Sequence, residues 1–496
     1  MEKKGIAGTF AFDARLIAVV AGYVLYVVWS NNVCVCAGAF LTGFAADAHV
    51  QNTVLLRMEY CAVLGVLEFA ACFKAEKVYR FIFKTRWGNA LAVIVVAAAS
   101  PLAAAASFDA LSAASCAAVF AVAVSFALFI YWVKVLSSLP IATLFGVVAS
   151  AFAIASLLPN FIAGEGAADP TAGVVACSAL GVAALAVLLA SDRLLAGRPL
   201  AEREPFSLSL GDKATERGRA SARAVTLRFS VCVLIWFFVL RCQGALLSQT
   251  GGGAVVLPFQ KEDMAGLCLA LVLSAAVVLL FCLPTEFKLE WVYRFLFLIS
   301  LATTLLSILF PPGSGLVFVV RALNFASLQL FAMVMRVVET ALSTNKHLTP
   351  MRVATFVGGF WALGSASGLL ASRCVAGRGE EAFAAAIVLL TLLLAVCYVI
   401  VLTERDVALL TEVIPEMRRR PFKERCLAIG RRYHLTEREV EIMAYVAIGR
   451  DTPYIQEALC LSKNTVNFHR KNLYAKLGIH SKQELLDLVG SQEVRR

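Results

Sequence analysis

The chain has 496 residues, of which 60% are hydrophobic and 16% charged, and its 45 Lys or Arg against 34 Asp or Glu give a formal net charge of +11. A soluble domain of ordinary composition is about 45–50% apolar and about 25% charged, so these values, with a mean hydropathy of +0.79, exclude a disordered chain and a simple cytosolic globule. The 14 Cys are too sparse for a secreted disulfide scaffold. Almost all the apolar excess lies before residue 404, and the chain beyond it reads as an ordinary charged domain. Two chemically different modules share one polypeptide.

Apolar runs recur along residues 1–403, each separated by a short charged or Gly/Pro-bearing break. Crossing a hydrocarbon core takes roughly 17–25 apolar residues in a helix. That length predicts spans at 13–42, 54–73, 86–106, 111–133, 139–163, 172–191, 225–247, 263–283, 291–310, 315–340, 352–372 and 382–403. The first run follows Met1-Glu2-Lys3-Lys4 and imitates a signal peptide. The many spans behind it make it a membrane helix instead.

Basic residues set the expected orientation. Lys74, Lys77, Arg80, Lys84 and Arg86 follow the second span, Arg193 to Arg223 fill the loop after the sixth, and Lys346 and Arg352 follow the tenth. The breaks near Asp109, Glu165–Asp169 and Pro311–Ser314 hold no Lys or Arg, while Arg373 and Arg378 form a mild exception. Even-numbered breaks are thus expected to be cytoplasmic. An even span count places both termini inside, in the cytoplasmic (inner) membrane of a bacterium.

The segment Phe73-Lys74-Ala75-Glu76-Lys77-Val78-Tyr79-Arg80-Phe81-Ile82-Phe83 recurs as Phe287-Lys288-Leu289-Glu290-Trp291-Val292-Tyr293-Arg294-Phe295-Leu296-Phe297. The two copies sit six spans apart, so the expected bundle has halves of about 1–191 and 225–403 joined by a basic loop, 192–224. This arrangement resembles the major facilitator superfamily, whose halves are related in that way. The resemblance implies a pocket between the halves. The loop after the second span lacks the Gly-x-x-x-Asp-Arg-x-Gly-Arg-Arg pattern of those transporters, which speaks against transport.

Polar side chains inside spans are costly and usually face a bundle interior. Asn31 and Asn32 in span one, Arg57 and Glu59 in span two, Arg241 and Gln243 in span seven, and Arg321 and Asn324 in span ten all fall in the outer half by this topology. Asn31, Asn32, Arg57, Arg241, Gln243, Arg321 and Asn324 are the candidate ligand contacts. Three Arg in one layer suit a small anion through charge-assisted hydrogen bonds; interfacial placement or structural pairing would explain the same residues. Glu68, Lys134 and the Arg336/Glu339 pair lie near inner ends, where snorkelling or local pairing accounts for them. No metal spacing, cofactor motif or phosphate-binding Gly-rich loop occurs, so no enzyme, metal or cofactor is expected.

Residues 404–432 form a juxtamembrane linker, with Arg418-Arg419-Arg420-Pro421 suited to anionic headgroups. From residue 433 the pattern changes. Thr436 with Glu439 three residues on is a capping box. Val440, Met443, Ala444 and Ala447 then repeat at helical spacing before Gly449. Thr452 is placed to cap a second helix with Pro453 at its first position, Ser462 a third through Leu477, and Ser481 a fourth over Lys482–Val489. The third helix has no acidic residue, and Val466, Leu473 and Leu477 form its buried stripe. Two short helices, the second cationic, make a helix-turn-helix. Lys463, Asn464, Thr465, Asn467, Phe468, Arg470, Lys471 and Lys476 are the candidate DNA contacts, amides and cations reading base edges or phosphates.

Leu435-Thr436-Glu437-Arg438-Glu439-Val440-Glu441-Ile442, Ala447, Gly449, Ile455, Leu461-Ser462, Thr465-Val466, His469 and Lys476-Leu477-Gly478 together resemble the LuxR-type DNA-binding domain over about 433–490. The resemblance implies base contacts at Asn467, Phe468 and Lys471, and a homodimer contact on the last helix at Glu484, Leu485, Leu488 and Val489. A two-fold dimer implies a palindromic promoter site on double-stranded DNA. The expected fold class is all-α, a polytopic bundle of about twelve transmembrane helices in a 1–403 sensor module, followed by a four-helix domain at 433–496. The expected function is a one-component transcriptional regulator in the lipid bilayer that senses a small molecule. A transporter with an appended regulatory domain is the alternative, and a passive membrane tether stands third.

Overall fold

The computed structural model describes residues 14–39, 46–106, 113–137, 139, 144–154, 170–195, 216–247, 268, 272, 289–312, 314, 316–343, 349–401, 426, 427, 429–447, 451–459 and 461–491, and these contain no strand. The chain divides into two compact units, one built from the helices up to residue 401 and one from residue 426 onward.

The first unit holds α1 (Ala14–Ala39), α2 (Ala46–Lys84), α3 (Arg86–Ala106), α4 (Ala113–Phe129), α5 (Trp132–Leu136), α6 (Leu144–Ile154), α7 (Pro170–Leu195), α8 (Glu216–Leu247), α9 (Leu289–Leu309), α10 (Val317–Ser343), α11 (Pro350–Val375) and α12 (Glu380–Val396). α12 runs on into a π-helical turn over Cys397–Val401. Among the described residues, eight helices are long and apolar enough to cross a membrane, on length and composition: α3, α4 with α5, and α7 to α12. The chain is a membrane protein. The predicted eighth span, 263–283, lies outside the described residues apart from helical 268 and 272.

One predicted break and one predicted span differ from expectation. The basic stretch after span two is a second helical segment rather than a loop: α2 breaks at the non-helical Lys74 (φ −128°, ψ 21°) and resumes to Lys84. Its Lys, Ala, Glu and Arg residues are good helix formers, so the chain re-enters a helix once the apolar stretch has ended at the kink. Span four also turns at Ile130 and Tyr131 before α5 resumes. Between α11 and α12, Gly377 and Gly379 take positive φ (76° and 90°), a conformation only glycine adopts cheaply. Glu380 and Glu381 then sit in the first turn of α12, where the helix dipole favours negative charge.

The helices pack α1 on α7, α3 on α4 and α7, and α9 on α10 and α12, while α2 lies along α11 across the seam between the halves. Aromatic rings fill that seam: Trp361 of α11 meets Phe126 of α4 at 6.4 Å and Phe237 of α8 at 5.9 Å. The repeated segments also place equivalent rings. Tyr79 stacks on Phe83 at 5.0 Å and meets Tyr131, whereas Tyr293 and Phe297 both stack on Tyr398, at 5.3 and 4.0 Å. The same motif thus docks on the end of α4 in one half and on the end of α12 in the other.

The second unit holds α13 (Glu437–Ala447), α14 (Thr452–Leu459), α15 (Lys463–Leu477) and α16 (Lys482–Ser491). Ile442, Met443, Ala444, Ile455, Val466, Leu473, Leu477, Leu485 and Val489 form its core, and Cys426 and Ile429 are fully buried in it. Leu473 is wholly inaccessible and Leu477 nearly so, as the helical spacing required.

Candidate nucleic-acid interface and membrane polar sites

Caps fix the start of each helix in the second unit. The Thr436 amide donates to Glu439 Oε2 at 2.8 Å, and the Glu439 amide donates to Thr436 Oγ1 at 3.3 Å, so the capping box closes in both directions. At α14 the cap is Asp451, whose Oδ1 accepts from the Tyr454 amide at 3.2 Å; Thr452, expected in that role, is the first helical residue. A carboxylate there also meets the positive end of the helix. Ser462 caps α15 by accepting from the Thr465 amide at 3.2 Å, and Gly478 (φ 68°) ends it in the left-handed conformation. Ser481 accepts from the Glu484 amide at 3.1 Å and caps α16.

With Val466, Leu473 and Leu477 turned inward, the opposite face of α15 is fixed. Lys463, Asn464, Phe468 and Lys471 are exposed along it, with Thr465, Asn467 and Arg470 half-buried at its flank. Phe468 is 62% exposed, a large apolar ring met edge-on by the His469 ring at 5.7 Å. Such a ring beside amides and cations can meet a thymine methyl while its neighbours reach base edges and phosphates. Arg470 also leans on α14, its guanidinium donating to Thr452 Oγ1 at 3.4 Å.

Lys476 sits elsewhere. Its ammonium donates to Glu439 Oε2 at 2.7 Å and to the His434 carbonyl at 3.4 Å, tying the end of α15 to the start of α13. Burial pushes the Glu439 carboxyl up, but the hydrogen bonds from Lys476 and Thr436 outweigh it and hold the group below the usual carboxylate range. Of the four dimer-contact positions, Leu485 and Val489 are buried in the domain's own core. Glu484 is exposed and Leu488 half-buried.

The membrane candidates fall into groups. Asn31 and Asn32 lie in α1, their side chains outside the described residues. Arg57 of α2 and Arg241 of α8 come from different halves, and each lies within electrostatic range of Cys61. Gln243, Asn324 and Arg321 come together with Ser307. Gln243 Nε2 donates to Ser307 Oγ at 2.7 Å, and Asn324 Nδ2 donates to Gln243 Oε1 at 3.1 Å and to the Leu240 carbonyl at 3.3 Å. Arg321 Nε donates to the Leu247 carbonyl at 2.9 Å. These bonds knit α8, α9 and α10 together, and Gln243 is fully buried by them.

A second polar group lies deeper in the bundle than its place near the span ends implies. Arg336 pairs with Glu339 at 2.9 Å, as local pairing predicted, and Lys134 donates to the Tyr79 hydroxyl at 2.5 Å. Glu68 and Glu339, however, are 4% and 0% exposed, inside the bundle rather than snorkelling to its edge. A carboxylate in an apolar run, with an Arg and a Glu three residues apart in another, was the available signal.

Comparison with known proteins divides along the same line. Residues 433–489 match the family of bacterial regulatory proteins, luxR family, and form a LuxR-type helix-turn-helix domain. The chain is 42% identical over 60 residues to the Fimbriae Z protein of Salmonella typhimurium, covering 12% of this chain and 29% of that one. It is 35% identical over 79 residues to the response regulator UvrY of Escherichia coli K12, covering 16% and 32%. The chain therefore spans about a third or less of these curated relatives. Among solved structures, the major facilitator superfamily transporter FucP in the outward conformation aligns with 82% of this chain and 98% of its own, at 14% identity and a TM-score of 0.41.

Proposed function

We propose that the chain is a membrane-embedded transcriptional regulator, in which the helical bundle senses a small anionic molecule and sets sequence-specific DNA binding by the C-terminal domain. The observation that carries this reading is the fusion itself: a LuxR-type reader follows a bundle with eight membrane-length helices on one polypeptide. A single helix would suffice as an anchor. The many buried polar contacts of the bundle fit a two-state ligand receptor better than a tether.

In this reading Lys463, Asn464, Thr465, Asn467, Phe468, Arg470 and Lys471 meet DNA, two readers share a palindromic site, and neither unit is an enzyme. Arg57 and Arg241 attract the anion from opposite halves. The reader begins near residue 426, since Cys426 and Ile429 belong to its core. Both termini are cytoplasmic and the bundle sits in the inner membrane.

The test compares full-length protein with the 404–496 fragment on the same promoter, after thermal-shift screening of full-length protein against small carboxylates and phenolates. A hit that changes promoter occupancy by full-length protein but not by the fragment supports the reading. Equal occupancy by both, with and without every hit, overturns it. Accumulation of a labelled hit in vesicles, with promoter occupancy unmoved, would mark a transporter instead.

A further inference from the structure

The buried charges at the seam do not balance. Glu68 projects from α2 and is 4% exposed; Arg336 and Glu339 project from α10, and Glu339 is fully buried. Arg336 lies over Trp361 and the Glu68 carboxyl lies against Gly358, three residues apart on α11, and Arg336 is within electrostatic range of Glu339, Tyr26, Tyr23 and Glu68. Arg336 donates a hydrogen bond to Glu339 Oε2, while Glu339 Oε1 and Glu68 Oε2 have no hydrogen-bond partner among the described residues. The α11 residue facing Glu68 is Gly358, and a Cβ there would collide with the Glu68 carboxyl. Its neighbour Trp361 lies under the Arg336 guanidinium at 5.9 Å, contributing a ring face and no proton. The described part of α1 contributes the phenols of Tyr23 and Tyr26, and Lys134 of α5 donates to Tyr79.

With both carboxyls ionised, the cluster carries two negative charges against one positive. An uncompensated charge in a low-dielectric interior costs several kcal/mol and is removed whenever a neutralising partner exists. Two partnerless carboxylate oxygens, each more than nine-tenths buried, identify what that partner must be: one monovalent positive charge small enough to enter a packed seam. Glycine at 358 leaves the Glu68 carboxyl its place against the α11 backbone.

We propose that the Glu68–Arg336–Glu339 cluster is a monovalent-cation site, filled by one proton or one alkali ion, at the seam between the two halves of the membrane unit. Occupancy ties α2 to α10 and leaves the seam neutral. Vacancy leaves two carboxylates facing one guanidinium and favours parting of α2 from α10. The membrane unit thereby responds to cation activity whichever small molecule it senses, and the site stands independently of the sensor reading.

The experiment uses the full chain in lipid nanodiscs, reading melting temperature and tryptophan emission between pH 5 and 9 in choline chloride, then with NaCl or KCl. The reader's Glu439, held below the ordinary carboxylate range, titrates beneath this window. A single-site step in choline that alkali ions leave unmoved identifies the proton. A step displaced toward lower pH by NaCl or KCl identifies an alkali ion competing with the proton. Glu68→Gln, a neutral isostere of the protonated acid, should abolish the step and hold the signal at its low-pH value. Gly358→Ala displaces the Glu68 carboxyl and should move the midpoint, which keeps the test alive if Glu68→Gln does not assemble. A wild-type signal flat in every salt, or a step persisting undiminished in Glu68→Gln, overturns the proposal.

Discussion

Two buried glutamates in this chain have opposite surroundings. Glu439 in the reader is 3% exposed, yet an ammonium and a backbone amide both donate to its Oε2. Glu68 in the membrane unit is equally hidden, and among the described residues its Oε2 has no hydrogen-bond partner. A buried carboxylate surrounded by donors is a fastener, whose worth is fixed when the domain folds. One short of donors keeps an energetic demand that something mobile can meet.

Removing each carboxylate should therefore have effects of different size and sign. Glu439→Ala leaves the Lys476 ammonium and the Thr436 amide without their acceptor, and should destabilise the reader by roughly 2–3 kcal/mol, read by hydrogen exchange of the α13 and α15 amides in the full chain. Glu68→Gln should instead leave the membrane unit as stable at neutral pH or more so, since it removes an uncompensated charge. Equal destabilisation by both would erase the distinction. pH sharpens it further. The folded reader holds the Glu439 carboxyl below its unfolded value of about 4.3, so its stabilisation is complete above that value and is lost as pH falls through the folded one. Acid unfolding of the reader should lose part of its pH dependence in Glu439→Gln.

A smaller effect separates the two lysines of α15. Lys471→Ala should reduce the slope of log affinity against log salt by about 0.9, with reader stability unchanged. Lys476→Ala should weaken the fold by about 1–2 kcal/mol and leave the salt slope alone, because its ammonium serves Glu439. The smallest change is expected from Arg438→Ala, which breaks the exposed pair with Glu441 at 2.8 Å. An exposed i,i+3 pair is worth about 0.5 kcal/mol or less, measurable as a shift of under a few tenths of a kcal/mol in exchange.

The reader was legible in the sequence almost residue by residue, because its determinants are local. A cap, an apolar repeat and a stop glycine all lie within a turn or two of one another, so Thr436 with Glu439, Ser462 with Thr465, and Gly478 could be placed before any tertiary contact was known. Even there, the choice of Asp451 over Thr452 as cap turned on which side chain faces the Tyr454 amide. Lys476 looked like its cationic neighbours because its partner lies 37 residues away. In the membrane unit, helices were visible from length and hydropathy, but the pairing of their polar groups was not. Nothing local announces that Asn324 meets Gln243 or that Glu68 approaches Arg336, since helices that are apolar all round carry little rotational signal. The helical segment of α2 beyond the kink at Lys74 was hidden for a related reason: hydropathy reports where the apolar stretch ends, and it says nothing of a basic helix that follows.

The glycines of α11 have a mechanical consequence. Gly364 and Gly368 would drive a Cβ into the backbone carbonyls of Leu234 and Phe238 on α8, and Gly358 and Gly359 lie against Glu68 and Phe69 of α2. Helices ordinarily lock because ridges of side chains sit in facing grooves, and one must climb over the next to move. Where one surface is bare backbone, there is no ridge to climb. α11 therefore presents a smooth track to α8 at Gly364 and Gly368, whereas toward α2 its Phe356, Phe360 and Leu363 side chains meet Phe69 and Gly65 and supply the ridge. Adding a single methyl group at Gly364 would put a tooth on that track.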